Sequence, residues 1–200
     1  MTLTPGVYPT APGTLASVVT TLKLSEPRYN APLPFPAGVT VQRETLSVTD
    51  YLHLFRAIGE DWLWVSRLLL SEDALAQIIH HPDVETHVLR RDGQPIGLIE
   101  LDFRRAKAML SFFGVIPSEI GTGLGTPMMA LAQSTAFAKG INSLHLTTCT
   151  LDTPKAIPFY HKHGFETVSR SIEVIADPRL TGVIAEGAGA MHTPLPEPQT

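Results

Sequence analysis

The chain has 200 residues, 44% hydrophobic and 17% charged, enough apolar material to bury a full core as one domain with extensions. A net charge of −4 with histidine neutral gives no electrostatic case for nucleic acid or an anionic membrane as partner, and a single cysteine, Cys149, excludes an internal disulfide framework and a multi-cysteine zinc site. No apolar run approaches the roughly 20 residues that span a bilayer, and Met1 to Pro12 lacks the charged and apolar regions of a signal peptide, so a cytoplasmic location is expected.

Residues 1–37 carry Pro5, Pro9, Pro12, Pro27, Pro32, Pro34 and Pro36, a density that forbids a continuous helix or central strand. They read as an arm, ordered where Val18, Val19 and Leu22 dock on the body. Val39 to Arg43 alternates as a short strand, and Asp50 caps a helix carrying Tyr51, Leu54, Phe55 and Ile58 at helical spacing. Ser71-Glu-Asp-Ala-Leu75 opens a second helix, closed by Pro82. The period then becomes extended, with Val84 to Arg91 and Gln94 to Phe103 flanking Asp92-Gly93, a two-residue hairpin signal, and Met109 to Val115 following as the next strand. Thr126 to Ala138 is helical and ends at Lys139-Gly140; Leu144 to Thr150 is a strand; Thr153-Pro154 reads as cap and first residue of a helix that stops at His163-Gly164; Phe165 to Ile175 returns as a strand. This order predicts an α+β fold with a mixed sheet over residues 38–176, followed by an irregular Gly-, Ala- and Pro-rich tail, 177–200, that packs on or near the domain.

The segment Val115-Ile-Pro-Ser-Glu-Ile-Gly-Thr-Gly-Leu-Gly125 joins strand to helix through a glycine turn. Such a turn brings bare backbone close to a ligand and aims the free N–H groups of a helix start at it, an arrangement that favours an anion. A dinucleotide fingerprint requires glycine three residues after Gly123, where Thr126 stands, and no Gly-Lys-Ser/Thr occurs to complete a nucleotide P-loop. A shorter G-x-G-x-G cradle remains.

In register with that cradle, the chain resembles the GNAT N-acetyltransferase superfamily. Val115, Pro117, Gly121, Gly123 and Gly125 fall on the family's acetyl-coenzyme A motif, with Ile120 where a basic or amide residue is usual. Thr153, Ala156, Phe159, Tyr160, Gly164 and Phe165 fall on a second motif, with Thr153 in place of asparagine. The resemblance covers roughly residues 39–175 and extends to a bacterial subgroup without an assigned acceptor. It implies a mostly antiparallel twisted sheet, splayed at the coenzyme and covered by helices on both faces, and transfer of an acetyl group from acetyl-coenzyme A to an amine in a ternary complex. By the same resemblance, Phe113, Val115, Ile120, Gly121, Thr122, Gly123, Leu124, Gly125, Thr126, Thr153, Ala156 and Tyr160 would hold the coenzyme. Phe113 and Val115 would do so through their backbone groups.

Tyr160 is the candidate acid for the leaving thiolate, because a phenol of pKa ~10 is protonated at neutral pH; the alternative is that it packs on Ala156 and Ile157. Pro158 inside the short helix predicts a kink or a loosened first turn. Glu100 and Asp102 alternate with Leu101 and point to one face. Glu100 is the first candidate base, against the alternative that these carboxylates are solvated or pair with Arg67, Arg104 and Arg105. Asp61, Trp62, Trp64 and Asp102 are the candidate acceptor contacts. His145 and Cys149 lie too far apart along a strand for a nucleophilic pair, and the paired histidines lack metal-ligand spacing, so no metal is expected. The expected partner is a small-molecule or peptide amine, with the protein a monomer or homodimer; the competing reading is a non-catalytic acyl-coenzyme A sensor on the same fold.

Overall fold

The structure, a computed structural model, describes residues 3–194, so residues 195–200 of the expected tail lie outside the described residues. Its strands are β1 (Thr14–Leu24), β2 (Val39–Arg43), β3 (Val84–Arg91), β4 (Gln94–Asp102), β5 (Ala108–Val115), β6 (Leu144–Cys149) and β7 (Glu166–Ala176). The helices are α1 (Val48–Gly59), α2 (Glu72–Ile79), α3 (Gly125–Ala138) and α4 (Ala156–Lys162). One seven-stranded sheet runs β2-β3-β4-β5-β6-β1-β7, antiparallel throughout except between β5 and β6.

The first helix is capped by Ser47, whose hydroxyl accepts from the Asp50 N–H at 3.1 Å and donates to the Asp50 carboxylate at 2.6 Å. Asp50 is therefore the third helical residue rather than the cap, and the helix starts earlier than the sequence suggested. Its apolar residues Tyr51, Leu54, Phe55 and Ile58 are buried on one sheet face against Val88 and Leu98. On the other face α3 buries Leu124, Met128, Met129, Ala132 and Ala136 against Leu89, Ile99, Leu101, Leu110 and Leu146. The hairpin residues Asp92 and Gly93 both have positive φ, 50° and 78°, as a type I′ turn requires.

Two expectations need correction. The proline-rich arm contains β1, which is not an edge ornament but an inner strand, paired with β6 on one side and β7 on the other. The prolines lie outside it, and Leu22 and Leu24 are buried in the core. The second correction concerns α4, which begins at Ala156 rather than after Thr153. Pro158 then falls on its third residue, where a missing N–H removes no helical bond. No kink follows from it. Pro127 occupies the same place in α3.

Arg28 and Tyr29, beyond β1, lie over α3 and α4. The Gln133 amide oxygen accepts from the Arg28 N–H at 2.8 Å, its NH2 donates to the His163 carbonyl at 2.9 Å, and a 2.9 Å hydrogen bond joins the Tyr29 hydroxyl to His163 Nδ1. This cover explains why α3 is buried nearly all round. Burial holds the imidazoles of His163, His87 and His145 below their ordinary value, helped at His163 by Lys162 and Arg28. The unfolded chain therefore takes up these protons first. Stability should be fully present above the unfolded value of about 6.5 and should fall as pH drops below it. Urea midpoints at about pH 7.5 and pH 5.5 test the sign, which is wrong if the lower pH is equal or more stable.

Candidate active site

Pairing between β5 and β6 consists of Ala108 with Leu144 and Met109 with His145, after which β5 follows β4 as far as Gly97–Val115 and β6 follows β1 as far as Val19–Cys149. The two strands part and leave a split in the sheet. At its start β5 carries a bulge: Glu100 faces Phe112 and Leu101 faces Leu110, with Ser111 extra. The bulge turns Phe112 toward α1 and Phe113 toward α3 and α4. Because the Ile116 N–H donates to the Ile96 carbonyl on β4 at 2.9 Å, strand alternation sends the N–H and C=O of Phe113 and Val115 the other way, into the split.

The strand ends in the glycine turn. Gly121 and Gly123 have φ of 87° and 90°, and a Cβ added to either would meet nothing within 4 Å. Helix α3 then starts at Gly125 with no side-chain cap. Among the described residues, the N–H groups of Gly121, Gly123, Leu124, Gly125 and Thr126 have no protein acceptor. Unmet amides at an uncapped helix start complement an anion. Beneath the turn, Glu119 accepts two bonds from Arg91, at 2.7 and 2.9 Å, and this pair fixes the strand-to-turn junction. The Thr122 hydroxyl donates to the Glu119 carbonyl at 2.8 Å, so its proton is spent inside the turn. Ile120 is 54% exposed, with its N–H bonded to the Pro117 carbonyl.

On the α3 and α4 side, the ring of Tyr160 packs among Phe113, Phe159 and Phe165, with centroids 6.4, 5.7 and 5.9 Å away. Burial, reinforced by the charge of Asp152, pushes its phenol well above the ordinary range, so it stays protonated through neutral pH. Phe159 closes on Gly125, where any Cβ would stand 3.0 Å from its ring. Thr153 and Ala156 form the turn before α4, with the Ala156 N–H on the Thr153 carbonyl at 2.9 Å.

On the α1 side, Trp64 lies across β5 against Phe112, centroids 5.3 Å apart, and its Nε1 donates to Asp152 beyond the end of β6 at 3.1 Å. Asp152 also accepts from the Thr148 hydroxyl at 2.5 Å and the Cys149 N–H at 3.1 Å. Gly59 gives the indole its bed, since a Cβ there would sit 2.4 Å from the ring. Trp64 and Asp152 thus span the mouth of the split. Asp152 was not singled out as a site residue from the sequence, although a carboxylate directly after a strand and before the second motif was visible there.

The other sequence candidates are dispersed. Glu100 is 0% exposed and accepts from the Tyr51 hydroxyl and from Arg67 Nη2, both at 2.6 Å. It is the inner end of a buried ion pair, the arrangement of the alternative reading in which this carboxylate pairs with Arg67. Asp102 is gripped by Arg104 through the backbone N–H, Nε and Nη2; burial opposes its ionisation, but these bonds outweigh it and hold the carboxyl below its usual range. Asp61 is exposed and lines a different cleft with Arg56, Glu60 and Ala188, and Trp62 makes no aromatic contact with the Trp64 cluster. Burial raises the Cys149 thiol, and His145 bonds to Ser143. Among the described residues, no group of three His, Cys, Asp or Glu side chains could hold a metal, and no helix is long and apolar enough to cross a membrane.

The model of the Acetyltransferase (GNAT) family matches residues 51–165, while no curated protein sequence matches the chain. Among solved structures, a GCN5-related N-acetyltransferase from Kribbella flavida is 23% identical with a TM-score of 0.55, the match covering 85% of this chain and 63% of that one. One from Sphaerobacter thermophilus is 14% identical, TM-score 0.60, over 80% and 51%. A conserved protein of unknown function from Staphylococcus epidermidis is 18% identical, TM-score 0.57, over 82% and 63%. The chain thus spans between about half and two thirds of their lengths, and at these identities the likeness is one of fold. With the family match covering both glycine turn and second motif, the chain belongs to the Acetyltransferase (GNAT) family.

Proposed function

We propose that the protein transfers an acetyl group from acetyl-coenzyme A to an amine by direct attack in a ternary complex. The observation that carries this reading is the split between β5 and β6, with the backbone groups of Phe113 and Val115 directed into it and the unmet amides of the glycine turn at its end. These groups fit the ligand: strand-edge N–H and C=O suit a pantetheine amide chain, and turn amides suit a pyrophosphate.

Bound acetyl-coenzyme A supplies an activated acyl carbon and a thiolate leaving group. The N–H groups lining the split polarise the carbonyl and steady the charge that develops on its oxygen. Tyr160 gives its proton to the departing sulfur as the new N–C bond forms and the C–S bond breaks; the amine's own proton leaves to water, and solvent restores the phenol. Phe113 and Phe159 shield this exchange from bulk solvent. Asp152 contributes through its charge, which keeps Tyr160 protonated, and through its hold on Trp64.

Titration calorimetry with acetyl-coenzyme A, followed by thiol release across an amine panel, tests the reading. Absence of coenzyme binding by the wild type overturns it; binding without transfer to any amine would favour a sensor. Tyr160→Phe should lower kcat by about 10²-fold with coenzyme affinity nearly unchanged. An unchanged kcat removes Tyr160 from the chemistry.

A further inference from the structure

Beside the start of β5, on the α1 face, lies a cleft of about 510 Å³ lined by Arg67, Asp102, Arg104, Arg105, Lys107 and Met109. Its volume lies in the range of small-molecule sites. Its charge is one-sided. Asp102 is the one carboxylate among these residues, and Arg104 already occupies it with three donors. Glu100 stands behind the wall, fully buried, and engages a single Arg67 nitrogen. Arg105 and Lys107 form no ion pair among the described residues, and Arg67, with Nη2 on Glu100 and Nε closed off from solvent, has Nη1 left without a hydrogen bond to any described residue. A cationic N–H without a partner at the wall of a cleft complements an anionic oxygen. Against a net charge of −4 for the whole chain, this concentration of cations is a local feature.

The cleft is also placed to serve the split. Met109 is the last β5 residue paired with β6, so the cleft opens where the strands part. The Arg67 guanidinium lies 5.0 Å from the centre of the Phe112 ring, and Phe112 in turn touches Trp64 at the mouth. A molecule anchored by an anion in this cleft would have its other end beside Met109, where the split begins. Glu100 holds Arg67 in that position from behind, which gives the buried carboxylate a positioning role in place of a proton-transfer one.

We infer that this cleft binds the anionic end of the acceptor, and that the acceptor is a small amine carrying a carboxylate, such as an amino acid. Nη1 of Arg67 suits a carboxylate oxygen, while Arg105 and Lys107 add charge at the rim. The inference rests on the acyl-transfer reading for the direction of the amine, but the anion site itself is tested by binding alone.

The experiment compares matched sets, each an amino acid, its amide, its amino alcohol and its aminophosphonate, first by calorimetry in the presence of coenzyme A and then by thiol release with acetyl-coenzyme A. Carboxylates should bind and react at least about tenfold better than their amides, as expected of a cationic site whose charge goes unmatched when the anion is missing. Arg67→Lys keeps a cation for the ion pair with Glu100 and removes the second guanidinium nitrogen, Nη1; it should raise the acceptor KM at least about tenfold with kcat and coenzyme affinity little changed. Because that site is buried, the exposed double change Arg105→Ala/Lys107→Ala provides a variant safe for the fold, and should raise KM several-fold in a salt-dependent manner. Equal binding of amides, preference for the phosphonate, absence of binding by every carboxylate, or an unaltered preference in both variants each overturns the assignment. Carboxylate-selective binding without thiol release would uphold the anion site and overturn the transfer reading, so the two failures are separable.

Discussion

Gly123→Glu is expected to weaken acetyl-coenzyme A binding at least about a hundredfold, equivalent to about 2.7 kcal/mol, while leaving the domain folded. Three effects add in the same direction. At φ 90° any side chain meets strain that glycine avoids, on the order of 1–2 kcal/mol. The new carboxylate would compete for the unmet amides of Leu124, Gly125 and Thr126, and its charge would repel the pyrophosphate. The open space around this position, with nothing within 4 Å of an added Cβ, keeps the change from propagating into the core. Gly123→Ala isolates the strain and should cost much less affinity. Calorimetry with both variants, alongside thermal midpoints, decides the matter: if the glutamate variant binds within threefold of wild type, the turn is not the pyrophosphate site.

Arg179→Ala should cost about 3–5 kcal/mol of stability, the usual penalty for leaving one buried ionic partner behind. Arg179 and Asp177 are each 1% exposed in their side chains and lie 2.7 Å apart. The same guanidinium donates to the carbonyls of Ala188, Gly189 and His192, and thereby folds the tail so that Ile184 and Ala188 pack on Leu63 and Leu151. Losing it strands Asp177 and three carbonyls at once. Urea titration should show the lowered midpoint, and limited proteolysis should cut first between residues 177 and 192. Coenzyme binding should persist, since none of these groups lines the split. A variant with wild-type stability would mean that the tail is held by its apolar contacts alone.

Local signals in the sequence were the reliable ones. Asp92-Gly93 fixed a hairpin because its two positive φ values are a property of the dipeptide, and the glycine turn was legible because Gly121 and Gly123 have few other reasons to recur at that spacing. What depended on distant partners was not. The stretch Thr14–Leu24 is rich in β-branched residues, yet its place in the sheet is set by strands far along the chain, and the flanking prolines argued against it. Glu100 shows the same limit: alternation placed it on the correct face, but only packing reveals that Tyr51 and Arg67 occupy it. The start of α4 moved because a proline is costless in a first turn, and the sequence alone does not say which turn is first.

The position of β1 also bears on how the chain reaches this fold. Its ladders join Val19 to Cys149 and Thr14 to Ala176, so β1, made before the other six strands of this sheet, waits for β6 before either neighbour exists. Until then an eleven-residue strand rich in β-branched residues has both edges open. Loop closure on that scale makes for a high contact order and slow formation of the distal half of the sheet, while the hairpin of β3 and β4 with α1 can assemble early from neighbouring residues. During synthesis the waiting strand is the segment most exposed to pairing with another chain, which makes its two ladders the step at which folding and aggregation compete.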